Sequence, residues 1–182
     1  MMKPEDCILF SGGASGAEEE FGRQAEIAGV EEVHFTFAGH VIKRERGVRY
    51  LTSEELVKGD VSLSYVAKLM NRSYRQGPLL KKVLQSIWHQ INSAEEVFIV
   101  GKILDDNTVK GGTGWGAEFA KLCNKPLHVF DQNKKQWFKW NQNQWEDAQP
   151  TIQKKHIAGG GTRFLNEDGK TAIADLFKKS FC

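Results

Sequence analysis

The pattern of apolar and polar positions along this chain predicts strands and helices in alternation. Four short apolar runs are typical of buried strands: residues 7–10, 33–38, 97–100 and 127–130. Four segments have helical character: residues 15–29, 63–70, 79–91 and 166–181. Strands that alternate with helices indicate an α/β fold, with a mainly parallel sheet and helices on both of its faces.

A different pattern covers residues 135–145, where aromatic and polar positions alternate around Asn141-Gln142-Asn143. This alternation predicts a small aromatic β-hairpin. Its large aromatic side chains are Trp137, Phe138, Trp140 and Trp145. Interleaved with lysines, they could stack on the bases of a single strand, but such hairpins more often pack on their own sheet or form a dimer contact. We favour packing or dimerisation and expect a homo-oligomer.

Composition narrows the classes of protein to which the chain can belong. Its 182 residues predict a single domain over 1–182, and the net charge of +2 does not favour nucleic acid as a partner. No apolar run is long enough to span a membrane, so we predict no membrane partner. Three widely spaced cysteines indicate the cytoplasm, and five scattered histidines show no metal spacing. We therefore predict no metal and no cofactor.

Three glycine-rich segments follow strand-like runs, at residues 11–16, 111–116 and 159–161. A glycine turn between a strand and a helix lets backbone N–H groups approach a phosphate, and the helix N-terminus favours an anion. Because parallel strands end at one edge of the sheet, we expect the three turns to line one nucleotide pocket. The candidate binding residues in these turns are Ser11, Gly12, Gly13, Gly16, Gly111, Gly112, Thr113, Gly114, Trp115, Gly159, Gly161 and Thr162. Trp115 either walls the base pocket or plugs it.

Charged residues beside the turns suggest further roles. Glu118 either contacts ribose, stabilises the cation that forms when an N-glycosidic bond breaks, or simply favours the helix dipole. Arg163 suits a bidentate phosphate contact, with a surface ion pair as the alternative. Asp131 either reaches a ribose or base or forms a turn. Ser15 and Glu18 have the spacing of a capping box at the start of a helix.

Three sequence elements carry a family resemblance. Residues 111–118, Gly-Gly-Thr-Gly-Trp-Gly-Ala-Glu, are similar to the Gly-Gly-x-Gly-Thr-x-x-Glu motif of the LOG family of cytokinin-activating phosphoribohydrolases. Residues 10–18 resemble the Ser-Gly-Gly-x-x-Gly-Ala-Asp opening of a YpsA-like branch, and residues 158–163 resemble its terminal Gly-x-Gly-Thr-Arg element. LOG, DprA and YpsA belong to the SLOG superfamily, so the resemblance, which covers most of the chain, implies a Rossmann-like nucleotide-binding fold.

The resemblance leaves three functions open. The first, which we favour, is a module that binds a nucleotide or nucleotide derivative as a sensor or carrier. The second is a phosphoribohydrolase that acts on a nucleoside monophosphate, with Glu118 as the catalytic carboxylate. The helix that carries a catalytic arginine in LOG enzymes offers Lys81, Lys82 or His89 here. The third is nucleic-acid binding of the DprA type. Related sequences are also described as molybdenum-cofactor carriers, and nothing in this chain selects a pterin over a purine.

Overall fold

A computed structural model describes residues 2–74 and 77–182, which form a mixed α/β structure around one sheet. The strands are β1 (Ile8–Ser11), β2 (Glu31–Thr36), β3 (Val48–Tyr50), β4 (Glu96–Gly101), β5 (Leu127–Asp131), β6 (Gln136–Asn141), β7 (Gln144–Ala148) and β8 (His156–Gly161). The α-helices are α1 (Ala17–Ala28), α2 (Ser53–Leu56), α3 (Asp60–Met70), α4 (Pro78–Ser93), α5 (Thr113–Leu122) and α6 (Glu167–Phe181). Short 3₁₀ turns cover Pro4–Asp6 and Val57–Gly59.

The strand order in the described residues is β3-β2-β1-β8-β4-β5-β6-β7. The first six strands in this order, β3, β2, β1, β8, β4 and β5, run parallel to one another. Strands β6 and β7 add an antiparallel hairpin at one edge. From β1 the chain passes through α1 to β2, towards the β3 edge of the sheet. From β4 it passes through α5 to β5, in the opposite direction, towards the β7 edge. This reversal creates a crevice at the carboxyl ends of the central strands, where ligands bind in such sheets. The predicted Rossmann-like α/β fold is confirmed.

Helices cover both faces of the sheet, which explains the continuous apolar runs in the sequence. On β4, Phe98 and Val100 pack in the cluster with α1 and α6, whereas Val97 and Ile99 pack in the cluster with α3, α4 and α5. Every residue of β4 is buried, as expected for a strand with cover on both faces. Within the described residues, no helix combines the length and apolar character that crossing a bilayer requires.

The segment Gly159–Gly161 is part of β8, so its prediction as a turn was wrong. Its glycines bring neighbouring groups unusually close to the strand. A Cβ atom on Gly159 would lie 2.5 Å from the Phe21 ring, and one on Gly161 would collide with the Val100 carbonyl oxygen. Gly161 also has a φ of +141°, which L-residues with side chains rarely adopt. The turn itself begins at Thr162, which follows the strand.

The predicted aromatic hairpin forms as β6 and β7. Trp137 packs edge-on against Phe98 and Phe130, whose ring centroids lie 6.1 and 5.5 Å away. Trp140 packs against Trp145 at 5.0 Å, and the Lys121 ammonium lies 3.9 Å from the Trp140 ring centroid. These large aromatic side chains therefore pack on their own sheet and on α5, which is the packing alternative for this segment.

Candidate functional site

A cavity of about 780 Å³ opens at the carboxyl edge of the sheet, a volume within the range of small-molecule sites. The loops after β1, β4 and β8 all contribute to its lining, so the three glycine-rich segments reach one edge of the sheet, although none of the glycines of the first segment lines the cavity. That this cavity binds a nucleotide stays a prediction. Of the predicted binding residues, those that line it are Gly111, Gly112, Thr113, Gly161, Thr162 and Arg163. Ala14 and Ser15 represent the first turn, and α4 supplies an apolar wall with Leu79, Leu80, Val83 and Ile87.

The basic side chains that line the cavity are exposed and, among the described residues, free of carboxylate partners. Lys102 and Lys110 belong to the loop between β4 and α5, and Arg163 follows β8. In the described residues no carboxylate forms an ion pair with these three side chains. Unpaired cations around a concave site produce a positive potential that attracts anions.

Exposed apolar side chains line the same cavity. Phe164 is 81% exposed, and Val41, Leu79 and Leu80 are also among the large apolar side chains left on the surface. Apolar groups next to unpaired cations fit a ligand that joins a flat apolar part to an anion.

The second glycine turn is held from outside the cavity by Arg72. Its guanidinium donates to the carbonyl oxygens of Gly111 and Val109, at 3.1 and 2.9 Å, and to the Thr108 hydroxyl at 3.1 Å. Gly111 has a φ of +74°, and Thr113 is the first residue of α5. The carbonyl groups of the turn are therefore satisfied away from the cavity, while the helix N-terminus lies beside it.

Other residues of the second turn do not line the cavity. Glu118 lies about 140° around α5 from Thr113, because five residues at 3.6 per turn bring it to the other side of the helix. Its carboxylate lies 3.2 Å from the Lys121 ammonium, which also donates to the Asn107 carbonyl at 2.8 Å. Trp115 is only 3% exposed and packs against Tyr74, so it is a core residue.

Several further predicted residues serve the fold at this edge. The buried Ser11 hydroxyl donates to the Gly159 carbonyl at 2.6 Å. The buried Asp131 carboxylate accepts bonds from the N–H groups of Ile103, Asn133 and Lys134, at 2.9 to 3.0 Å, which is the turn-forming alternative. The predicted binding residues that do not line the cavity are Ser11, Gly12, Gly13, Gly16, Gly114, Trp115, Asp131 and Gly159.

Sequence reasoning missed residues that line the cavity, among them Lys102, Lys110, Phe164 and Glu18, and Glu18 is the acidic one. It lines both the large cavity and a smaller one of about 30 Å³ beneath it. Its carboxylate accepts bonds from the Ala14 N–H at 3.2 Å and the Gln90 side-chain amide at 3.3 Å. Burial raises the pKa of the Glu18 carboxyl, and these two hydrogen bonds oppose that change.

The signal for Glu18 was present in the sequence as an acidic residue directly after the first glycine turn. Its assignment to a capping box with Ser15 was wrong, because α1 begins at Ala17 and has Gly16 as its N-cap without a side-chain cap. The candidates Lys81, Lys82 and His89 on α4 do not line the cavity. The His89 ring is bonded to the Glu55 carbonyl oxygen at 2.7 Å instead.

Comparison with known proteins supports the fold. No protein-family model matches the sequence, and no curated protein matches it. A solved structure from Syntrophus aciditrophicus, "Putative molybdenum carrier protein", superposes with a TM-score of 0.58 and 12% sequence identity. The match covers 97% of this chain and 96% of that chain. At this identity the likeness establishes a shared fold and no more.

Proposed function

We propose that this protein binds a nucleotide or nucleotide derivative in the crevice at the carboxyl edge of the sheet, as a sensor or carrier. The observation that carries the proposal is the meeting of a helix N-terminus, an exposed aromatic ring and cations that have no carboxylate partner in the described residues around one cavity. The phosphate lies near Arg163 and the start of α5, and Phe164 with the apolar wall of α4 contacts the base. The glycines of the first turn shape the backbone behind this site.

Binding without hydrolysis fits the geometry better than the phosphoribohydrolase alternative. Glu118, the carboxylate expected to be catalytic, is engaged with Lys121 and is not among the residues that line the cavity. None of the basic candidates on α4 lines the cavity either. A hydrolase would therefore need a different carboxylate and a different cation from those that the LOG resemblance implies.

A thermal-shift screen tests the proposal directly. The probes are nucleoside monophosphates, dinucleotides, cyclic nucleotides, pterins and, given the name of the structural neighbour, molybdate. We expect a nucleotide or a pterin nucleotide to raise the melting temperature, by an amount that grows with the logarithm of its concentration above the dissociation constant. A protein that responds to none of the phosphate-bearing probes, or to molybdate alone, contradicts the proposal.

Substitution of Arg163 tests the phosphate clamp. Arg163→Ala should weaken binding of a nucleoside monophosphate by about 1.5–3 kcal/mol, the scale of a hydrogen bond to a charged group. Binding of the matching nucleoside should hardly change, because it lacks the phosphate. Isothermal titration calorimetry provides both affinities, and Arg23→Ala, on α1 and outside the cavity lining, is the control. Equal losses for nucleotide and nucleoside, or no loss for either, would rule out this role for Arg163.

A further inference from the structure

We infer that Glu18 determines the specificity of the cavity by accepting hydrogen bonds from the ribose hydroxyls of a ribonucleotide. This inference rests on the proposed nucleotide site and adds the sugar that the site prefers. It follows from three properties of Glu18: the notch in which it lies, its lack of a cationic partner in the described part of the chain, and the basic side chains that line the same cavity.

The notch is built from glycine. Glu18 lies at the start of α1 on one face of the sheet and bonds to Gln90 on α4, which packs on the other face. A Cβ atom on Gly12 would lie 2.8 Å from both Glu18 carboxylate oxygens and 2.7 Å from the Gln90 amide nitrogen. Gly160 approaches from β8, where a Cβ would lie 3.9 Å from the Glu18 side chain. A Cβ at Gly160 would make only ordinary contact, so it is the missing side chain of Gly12 that lets the carboxylate reach across the strand ends.

The Glu18 carboxylate has capacity for further hydrogen bonds. Its two bonds, to the Ala14 N–H and to Gln90, are long, and an ionised carboxylate has about four lone-pair sites. No cation in the described part of the chain forms an ion pair with Glu18. Because desolvation of a carboxylate is costly, a ligand that donates hydrogen bonds to it gains more here than at an exposed site.

The distribution of charge selects the group that lies beside Glu18. An ionised carboxylate repels a phosphate, whereas Lys102, Lys110 and Arg163 attract one, so the phosphate lies towards the basic side chains. The group next to Glu18 must then be a neutral donor. In a nucleotide the sugar follows the phosphate, and its vicinal hydroxyls offer two donors to the two carboxylate oxygens.

The test compares ribonucleotides with nucleotides that lack both hydroxyls. Calorimetry measures the affinities of AMP, GMP, CMP and UMP and of their 2′,3′-dideoxy counterparts for the wild type, Glu18→Gln and the control Glu19→Gln. For the wild type, we expect removal of the hydroxyls to weaken binding at least about 10-fold, the scale of one hydrogen bond to a charged group. Glu18→Gln should lose about that factor for the ribonucleotides and nothing for the dideoxy forms, and Glu19→Gln should behave as the wild type.

The outcomes separate this inference from the proposed function. Equal wild-type affinities for ribonucleotides and dideoxynucleotides overturn the inference and leave nucleotide binding intact, whereas the absence of any nucleotide binding overturns both. Equal losses for both sugars in Glu18→Gln would mean that Glu18 only supports the fold. Should Glu18→Gln not fold, Glu18→Asp, which withdraws the carboxylate by one methylene, is expected to lose the same preference.

Discussion

The segments that follow β1 and β4 share one plan, a strand, a glycine turn and a helix with a glutamate near its start, yet they present different groups to the cavity. Glu18 is the second residue of α1 and lines the cavity. Glu118 is the sixth residue of α5 and pairs with Lys121 away from it. The difference arises from where each helix begins, because each residue of offset turns a side chain by about 100° around the helix axis.

The two turns are also anchored by different parts of the chain. In the first turn the Gly13 carbonyl accepts bonds from the main-chain N–H groups of Lys43 and Arg44, and the Ala17 N–H donates to the Thr162 carbonyl. In the second turn the carbonyls bond to the side chain of Arg72. The first turn is therefore fixed by the path of the backbone, whereas the second depends on one guanidinium.

Alanine substitution of one glycine in each turn should give the largest contrast. A Cβ on Gly16 would lie 2.5 Å from backbone atoms of Thr162 and Arg163, whereas Gly111 has nothing within 4 Å. Both have positive φ, so Gly111→Ala should cost only the backbone strain of about 1–2 kcal/mol. Gly16→Ala should cost at least about 3 kcal/mol, because strain and overlap add. Urea unfolding measures both, and similar losses would mean that the first turn is no more tightly packed than the second.

Removal of the Arg72 guanidinium should have an intermediate effect. Arg72→Ala loses three hydrogen bonds to the loop before α5, so we expect a loss of about 2 kcal/mol in unfolding free energy. Arg72→Lys should recover little, since an ammonium cannot reproduce the planar fork. Hydrogen exchange should increase at residues 108–111 and stay unchanged in the first turn. Increased exchange in both turns would contradict the separate anchoring described above.

Replacement of the two glutamates by glutamine should have the smallest effects on stability, and the two effects should have opposite signs near neutral pH. Burial raises the pKa of Glu18 above its ordinary value of 4.5, so the folded state binds this proton more strongly than the unfolded state. Its contribution to stability is present below the ordinary value and is lost as pH rises through the folded pKa. Glu18→Gln should therefore melt above the wild type near neutral pH, with no advantage in acid.

Glu118→Gln provides the matched substitution in the second turn. It removes a half-buried ion pair with Lys121 and should lower the unfolding free energy by about 1 kcal/mol near neutral pH. Thermal melts of both variants across the acid range give the comparison. A Glu18→Gln variant that is less stable than the wild type at neutral pH would show that its hydrogen bonds outweigh the cost of burial.

The sequence predicted the features that follow from burial. It failed to predict which side of a helix a side chain occupies, because that depends on the residue at which the helix begins. Apolar runs such as 97–100 identify strands because helices cover both faces of the sheet, and the convergence of the turns follows from parallel strands. To predict which of Glu18 and Glu118 lines the cavity, one must know the residue at which each helix begins. Local patterns leave that residue uncertain by one or two positions. The run Gly159–Gly161 suggested a turn because glycine is disfavoured in strands. The reason that glycines occupy these positions of β8 is a long-range contact: the Phe21 side chain and the Val100 backbone leave no room for a Cβ atom.

The position of β8 has a consequence for aggregation. This strand comes late in the chain but lies between β1 and β4, in the middle of the sheet. Within the described residues, β8 provides the ladders that join the strands β1 to β3 to the strands β4 to β7, so without it each group would end in an unpaired inner edge. Because such edges readily pair with other chains, a variant that weakens β8 should be prone to aggregation. The same strand leads into Arg163, so the continuity of the sheet and a cation of the cavity depend on one segment of the chain.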